Sequence, residues 1–415
     1  MSTYSPIWPQ WQRILFRYAA VFFSFILLSL LTEILSLDKI LWDPLVKFTA
    51  KHIFGLGEVS KVVTGSGDSL YDWAWYGTIL VLSLVLGTLF NLLDFKRVHY
   101  QRLQAWLHYL LSVYLAFMLL TYGIIKLYGS QFPAPGLMRL HETYGHSSPM
   151  RLLWTFMGAS TPYVIFAGAC ETIPGVLLLF RRTRTLGGLI SFGVMTNVFA
   201  LNIFYDVPVK LFSFQLVIIS LFLILPETGR LLRFFVLNKE VAPAEHTPIT
   251  RDKRWRWAIT AIQFVLVAVF VYTISSSTKE SLKTYGSDRE QPALYGVYDV
   301  SDYVINGDTI PTLNATNGRW KKVIIDYPDY IGVLYADGKR EFLASEIDTN
   351  KQVLTLEDQD FTYVTTKDQL LLDGLFGTDT LQVKLKPYDL DKFSLLSRGF
   401  NWVNEVPYNR YDKEE

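Results

Sequence analysis

Glu171 is the residue whose placement most suggests chemistry. It lies near the middle of a long apolar run, three residues before Pro174, which leaves a backbone carbonyl without its helical donor. An ionisable side chain inside a membrane span costs at least about 2.5 kcal/mol, so one that is retained is a candidate for proton transfer or binding. Asn197 lies at similar depth in the next run, counting about 1.5 Å per helical residue, and the two are expected to meet. Near the outer ends of the runs sit Glu33, Tyr122, Lys126, Asn202, Tyr205, Asp206 and Lys210, with His141, Glu142 and His146 in the polar segment above. These residue types suit a pocket for the head group of a quinone or another lipophilic substrate. In it Lys126 polarises a carbonyl oxygen, and Glu171, His141 or His146 moves protons. The same set also suits interhelical hydrogen bonds and salt bridges, with Lys126 snorkelling to the interface.

Metal and haem chemistry are weaker readings. His99 and His108 are nine residues apart and do not share a helical face. His141 and His146 make a loop site only with further ligands such as Glu142. The single cysteine, Cys170, excludes an intramolecular disulfide, a CxxC redox pair and an all-cysteine metal site. Basic residues fall in short clusters between apolar runs, which argues against a nucleic-acid-binding domain.

The elements that must position these residues are membrane helices. Half of the 415 residues are hydrophobic and only 19% are charged, a balance unusual for a soluble domain. Runs long enough to cross a hydrocarbon core of about 30 Å can be drawn at 14–36, 73–93, 105–127, 159–180, 185–205, 211–231 and 257–275. The first follows Arg13 and Arg17 as a signal sequence does, but it continues into Glu33 and Leu37-Asp38-Lys39 without a small-residue cleavage site. It is therefore expected to stay as an anchor.

Short loops rich in Lys and Arg are held on the cytoplasmic side. Lys96, Arg97 and Arg102 crowd one connection, Arg181, Arg182 and Arg184 another, and Arg230, Arg233, Lys239, Arg251, Lys253, Arg254 and Arg256 a third. All three agree with an N-terminus inside, and Trp73, Trp75, Trp255 and Trp257 fall where interfacial aromatics sit. Residues 1–277 carry 23 basic against 14 acidic side chains, and 278–415 carry 16 against 24, so the acidic tail is expected outside.

Outer segments 37–72 and 128–158 are longer than a connection needs, and long polar loops are often functional. The first contains Val63-Thr64-Gly65-Ser66-Gly67-Asp68-Ser69, whose backbone N–H groups suit an anion cradle or an ordinary turn. Without a following Lys it is no Walker motif. Residues 233–256, with Pro243 and Pro248, read as a cytoplasmic linker before a seventh span at 257–277.

From about residue 290 the pattern changes to short β-branched and aromatic runs, the mark of an all-β unit. Strands are predicted at Val297–Ile305, Arg319–Asp326, Ile331–Tyr335, Glu341–Ser345, Gln352–Leu356, Phe361–Thr366, Gln369–Asp373 and Thr380–Leu385, with turns at Asn306-Gly307-Asp308 and Asp337-Gly338. Their spacing predicts a small antiparallel barrel or sandwich. Tyr295-Gly296-Val297-Tyr298 and the following meander resemble a lipocalin-type barrel, which implies a lipophilic ligand. Residues 397–410 are rich in aromatic and hydrogen-bonding side chains and are expected to pack onto either their own barrel or the outer loops of the bundle, and Asn314-Ala315-Thr316 fits a glycosylation acceptor.

Residues 105–230, a little under a third of the chain, resemble the DoxX family of four-helix membrane proteins. The matching features are Tyr122-Gly123-Ile124-Ile125-Lys126 closing one span, then Glu171, Gly175 and Leu177-Leu178-Leu179-Phe180-Arg181, then Arg184 and Gly187 opening the next. The first two spans (1–104), the seventh and the β tail lie outside it, as in longer DoxX-like bacterial proteins. The resemblance implies an inner-membrane protein linked to redox systems, in some members to sulfur-compound oxidation with electrons passed to quinone. It makes Lys126, Glu171, Gly175, Arg181 and Arg184 positions of the family pattern, without assigned catalytic roles.

The expected architecture is thus a bundle of about seven transmembrane helices followed by an extracytoplasmic β domain at 278–415. The expected function is a component of a membrane redox system that handles quinone or another lipophilic partner at the outer leaflet. The alternative is a non-catalytic envelope protein that binds lipid or scaffolds an assembly through its tail. An ion-coupled transporter fits less well, because no repeat symmetry or paired broken helices are evident.

Overall fold

The computed structural model describes residues 8–244, 247–250, 252–286, 288–311 and 318–405, with the side chain of Tyr285 excepted. Asn314-Ala315-Thr316 and residues 406–410 of the aromatic end lie outside the described residues. Two compact units divide the chain. The first takes residues up to Phe132, Pro149–Trp154 and Pro162–Glu280, and the second takes Pro133–Ser148, Thr155–Thr161 and Ser281 onward.

In chain order the helices are α1 (Gln10–Ile34), α2 (Asp38–His52), α3 (Leu70–Leu93), α4 (Gln101–Leu127), α5 (Leu137–Leu140), α6 (Pro149–Gly158), α7 (Thr161–Leu179), α8 (Arg184–Phe204), α9 (Lys210–Ile224), α10 (Thr228–Phe235), α11 (Lys253–Tyr285) and α12 (Ser394–Ser397). Among the described residues seven segments are long and apolar enough to cross a membrane: α1, α3, α4, α7, α8, α9 continued through α10, and α11. The chain is a multispanning membrane protein. α11 has 33 residues, about 50 Å of helix, so it outruns a hydrocarbon core of about 30 Å.

Side-chain interactions set several helix starts and junctions in the first unit. α3 opens with a capping box, in which Ser69 Oγ accepts the Asp72 N–H at 3.3 Å and the Asp72 carboxylate accepts the Ser69 N–H at 2.9 Å. The guanidinium of Arg17 is buried and donates to Tyr100 Oη, Asn91 Oδ1 and the Asp94 carbonyl, each at 2.7 Å, tying α1 to the α3–α4 turn. Gln263 of α11 is buried and its Nε2 donates to the Leu179 carbonyl at 3.0 Å, satisfying the end of α7. Segment 37–72, predicted as a loop, contains α2. Its buried residues Trp42, Val46, Thr49 and Ala50 recur at helical spacing, and Trp42 Nε1 donates to Thr32 Oγ1 at 2.9 Å.

The second unit is a closed antiparallel barrel. Strands β1 (Gly296–Ile305), β3 (Trp320–Ile325), β4 (Tyr330–Tyr335), β5 (Arg340–Asp348), β6 (Val353–Leu356), β7 (Gln359–Thr365), β8 (Leu370–Phe376) and β9 (Asp379–Pro387) pair in sequence, and β9 returns to β1. The short β2 (Asp308–Thr309) hangs on β1 through Asn306 and Gly307, both at positive φ as a two-residue hairpin turn requires. Of the barrel and sandwich alternatives, the structure is the barrel. Trp320, Phe361, Tyr303, Tyr363, Leu354 and Leu372 belong to one buried core. An eight-stranded barrel has an interior just wide enough for side chains or one small ligand, and here side chains occupy it.

Residues 133–148, expected to belong with the surrounding spans, are part of this second unit. Leu137 packs with Val297 and Ile324, and the Leu137 N–H donates to the buried Asp326 carboxylate at 2.9 Å, which also pairs with Arg289. Met138 rests against Gly332, where a side chain on β4 would displace its terminal methyl group. Four spans separate this segment from β1, an even number that returns the chain to one side of a membrane, as membership of both in one unit requires.

Candidate functional site

The contact between α4 and α7 is built on small residues. A Cβ on Gly168 would lie 2.8 Å from the Gly123 carbonyl oxygen, and one on Gly175 would lie 3.3 Å from that of Ala116. Such positions let membrane helices approach backbone to backbone. One turn away from Gly123 and Gly168, Lys126 and Glu171 meet: Nζ donates to Oε2 at 2.7 Å and to Oε1 at 2.9 Å, with the side chains 8% and 4% exposed. Nζ also lies 5.6 Å from the ring centroid of Tyr122 and 6.0 Å from that of Phe132. Lys126 therefore turns inward to Glu171, where a snorkelling side chain would turn away. In this state two of its three donors are committed to the carboxylate.

Asn197, expected beside Glu171, is on the exposed side of α8. Equal depth along two helices says nothing about which way each residue faces, and the partner of Glu171 is the lysine. Asn202 is buried and donates to Ser213 Oγ at 3.0 Å, joining α8 to α9. Tyr205 ends α8 half-buried, and Asp206 is exposed with φ of 50° and accepts from Lys210 Nζ at 2.9 Å. These contacts make the α8–α9 turn a polar junction.

Tyr122 also lines a cavity of about 530 Å³ in the first unit, between α1, α3, α4 and α9. Its wall carries Trp42, Tyr71, Trp75, Tyr76 and Tyr114, with Glu33 at its edge. Across it runs a hydrogen-bonded chain: Tyr76 Oη donates to Gln215 Oε1 at 2.7 Å, and Gln215 Nε2 donates to Tyr114 Oη at 2.7 Å. Residues 62–67 form a further part of its lining. The glycine-bearing stretch does meet a helix start, but it brings the anion itself: the Asp68 carboxylate accepts the N–H groups of Lys210 at 2.8 Å and Leu211 at 2.9 Å, and Gly67 N–H donates to the Pro208 carbonyl at 2.8 Å. Segment 62–69 is thereby fastened to the start of α9.

Gln215, Tyr76 and Tyr114 were not singled out by the sequence reading. Gln215 was detectable, being a polar residue inside an otherwise apolar span, the same signal that marks Glu171. The two tyrosines carried no such signal, because aromatics near span ends are common. Arg181 and Arg184 line a different cavity at the other ends of the helices. Among the described residues no three His, Cys, Asp or Glu side chains gather as metal ligands would.

His141 and His146 lie in the second unit. His146 is exposed, with Nδ1 2.6 Å from Thr143 Oγ1. His141 stands edge-on to Tyr388 and Phe393, at 5.6 and 4.9 Å between ring centroids, and its Nε2 is buried without a hydrogen-bond partner. Burial first, and then the Lys322 cation, hold its pKa down to about 4 against an ordinary 6.5. Between those values the unfolded chain binds the proton and the folded ring does not, so stability rises with pH across that window. The contribution is fully present above pH 6.5 and lost as the pH falls to about 4. His141→Gln is expected to remove this acid-side loss. Thermal melts of wild type and variant that stay parallel from neutral pH down to about 4 would refute it.

A stretch of 123 residues is 29% identical to the uncharacterized protein YwoB of Bacillus subtilis (strain 168), covering 30% of this chain and 78% of that protein. No family model matches the chain, and no solved structure matches it.

Proposed function

We propose that the chain is a DoxX-like protein of the bacterial inner membrane that binds the head group of a quinone, or of a similar lipophilic ring compound, in the cavity lined in part by residues 62–67. In this reading it is a component of a membrane redox system. The observation that carries the proposal is the Tyr76–Gln215–Tyr114 chain crossing an aromatic-walled cavity within a membrane bundle. Flat aromatic walls suit a ring, and convergent hydroxyl and amide groups suit its oxygens. With Lys and Arg of the short loops inside, the N-terminus is cytoplasmic, and the cavity and the β domain are on the periplasmic side. In quinone reduction a partner protein supplies two electrons, and the Lys126–Glu171 pair, adjoining Tyr122 on the cavity wall, relays the two protons one at a time from solvent, giving up its ammonium proton and being reprotonated before the next.

The test is mass spectrometry of the organic extract from full-length protein purified in mild detergent, comparing wild type with Gln215→Leu at equal folded fraction. Wild type is expected to retain a quinone. The variant, having lost one hydrogen-bonded bridge of about 1–2 kcal/mol, should hold it about tenfold more weakly. Bulk phospholipid alone in the wild-type extract, or equal quinone in both, would end this reading.

The second reading, a lipid-binding or scaffolding envelope protein, is favoured by one feature of the tail. Phe400 and Trp402 pack on each other yet remain 77% and 90% exposed, where the sequence suggested a packed terminus. Under this reading removal of residues 394–405 abolishes function and leaves the extract unchanged.

A further inference from the structure

At the opposite ends of the helices from the aromatic cavity, α4, the α7–α8 turn, the end of α9 and the start of α11 enclose a second cavity of about 380 Å³. Three guanidinium groups, Arg181, Arg184 and Arg256, face it together with His108, Gln104 and Thr260. Among the described residues the lining includes one acidic side chain, Glu227, and that carboxylate is already paired with Arg230. Two of the polar atoms are buried and have no hydrogen-bond partner: Arg184 Nε and His108 Nε2. Burial, and next the Arg256 charge, hold the Arg181 guanidinium below its ordinary range.

Crowding like charges around a hollow and leaving a guanidinium N–H buried without an acceptor are both costly. An anion with several acceptor oxygens removes both costs, and guanidinium forks match phosphate geometry. The other part of the wall is apolar, formed by Leu179, Phe180, Leu223 and Phe264, with Phe180 and Phe264 also exposed on the outside of the helices. A wall divided in this way fits an amphiphile whose head is anionic and whose chain leaves along the bundle surface.

We infer that this cavity is a binding site for a phosphate group, held by Arg184 and Arg256 with Arg181. An anionic phospholipid and a soluble phosphate compound both carry that group, and the apolar wall favours the lipid. The site is separate from the proposed quinone cavity and does not depend on it.

The experiment uses full-length protein delipidated in a zwitterionic detergent, with thermal unfolding followed as phosphatidylglycerol, phosphatidylcholine or inorganic phosphate is added. Phosphatidylglycerol is expected to raise the midpoint and phosphatidylcholine to leave it in place, and Arg184→Gln with Arg256→Gln should weaken the effect about tenfold per guanidinium removed. If the double variant does not fold, Arg256→Gln alone carries the comparison, because Arg256 sits half-buried at the start of α11. A shift with phosphate but not with phosphatidylglycerol supports the site and assigns it to a soluble phosphate compound. No shift with either probe, an equal shift with phosphatidylcholine, or an undiminished shift in the variants overturns the inference.

Discussion

Lys126→Met is expected to destabilise the helical unit by about 3–5 kcal/mol, because it leaves the Glu171 carboxylate buried without its counter-charge. Glu171→Gln should cost less, since Lys126 lies in the last turn of α4 and its long side chain can redirect its ammonium toward the interface. The double change Lys126→Met with Glu171→Gln removes both charges and should recover most of the loss, which a double-mutant cycle reads as strong coupling. Melts of the four proteins in one detergent make the comparison. Additive single losses would mean that the pair is not the unit drawn here. The double variant also separates packing from binding: if it is stable and still retains whatever lipophile the wild type retains, the pair is structural, and if it is stable but loses it, the charges serve the proposed site.

Trp320→Ala should unfold or loosen the barrel, at about 3–5 kcal/mol. Trp320 is fully buried, with its ring 6.0 Å from Tyr303 and 5.4 Å from Phe376, and several facing strands lose contacts at once. Limited proteolysis should then cut within residues 296–387 at a temperature the wild type withstands. The aromatic cavity is lined by residues of the helical unit alone, so the variant is expected to retain the same extracted lipophile. Loss of that lipophile together with the barrel would contradict the assignment of the site to the bundle.

Periodicity was enough to find the long elements. The seven spans and the eight strands of the barrel begin within four residues of their predicted places, although α11 runs ten residues past its predicted end, because runs of about 20 apolar residues and alternating β-branched runs have few competing explanations. The hairpin at Asn306-Gly307 was legible from its residue types. The one at Glu357-Asp358 was not, because both residues adopt positive φ without the usual glycine.

The site was half legible. Lys126 and Glu171 stood out by charge and depth, but their pairing depends on how α4 and α7 approach, which is governed by Gly123, Gly168 and Gly175 and has no trace in hydropathy. Asn197 is on the exposed face of α8, and depth along a helix carries no information about the face. Asp68 looked like part of a cradle for a foreign anion, and only the fold brings the start of α9 to it. α2 was hidden because its charged face lowers its hydropathy below that of a span, although Trp42, Val46 and Ala50 mark one helical stripe.

The bond from the Leu137 amide to Asp326 also imposes an order on biogenesis. The partners are 189 positions apart, and a ribosome adding about 5–20 residues per second needs roughly 10–40 s to make the intervening chain. Throughout that interval residues 133–148 are without β1 and β3. Leu137 and Met138 are then open to holdases and proteases, and the second unit closes only after the last span has been inserted. Slower translation between α7 and β3 should therefore lower the yield of intact protein more than the same delay placed after β9.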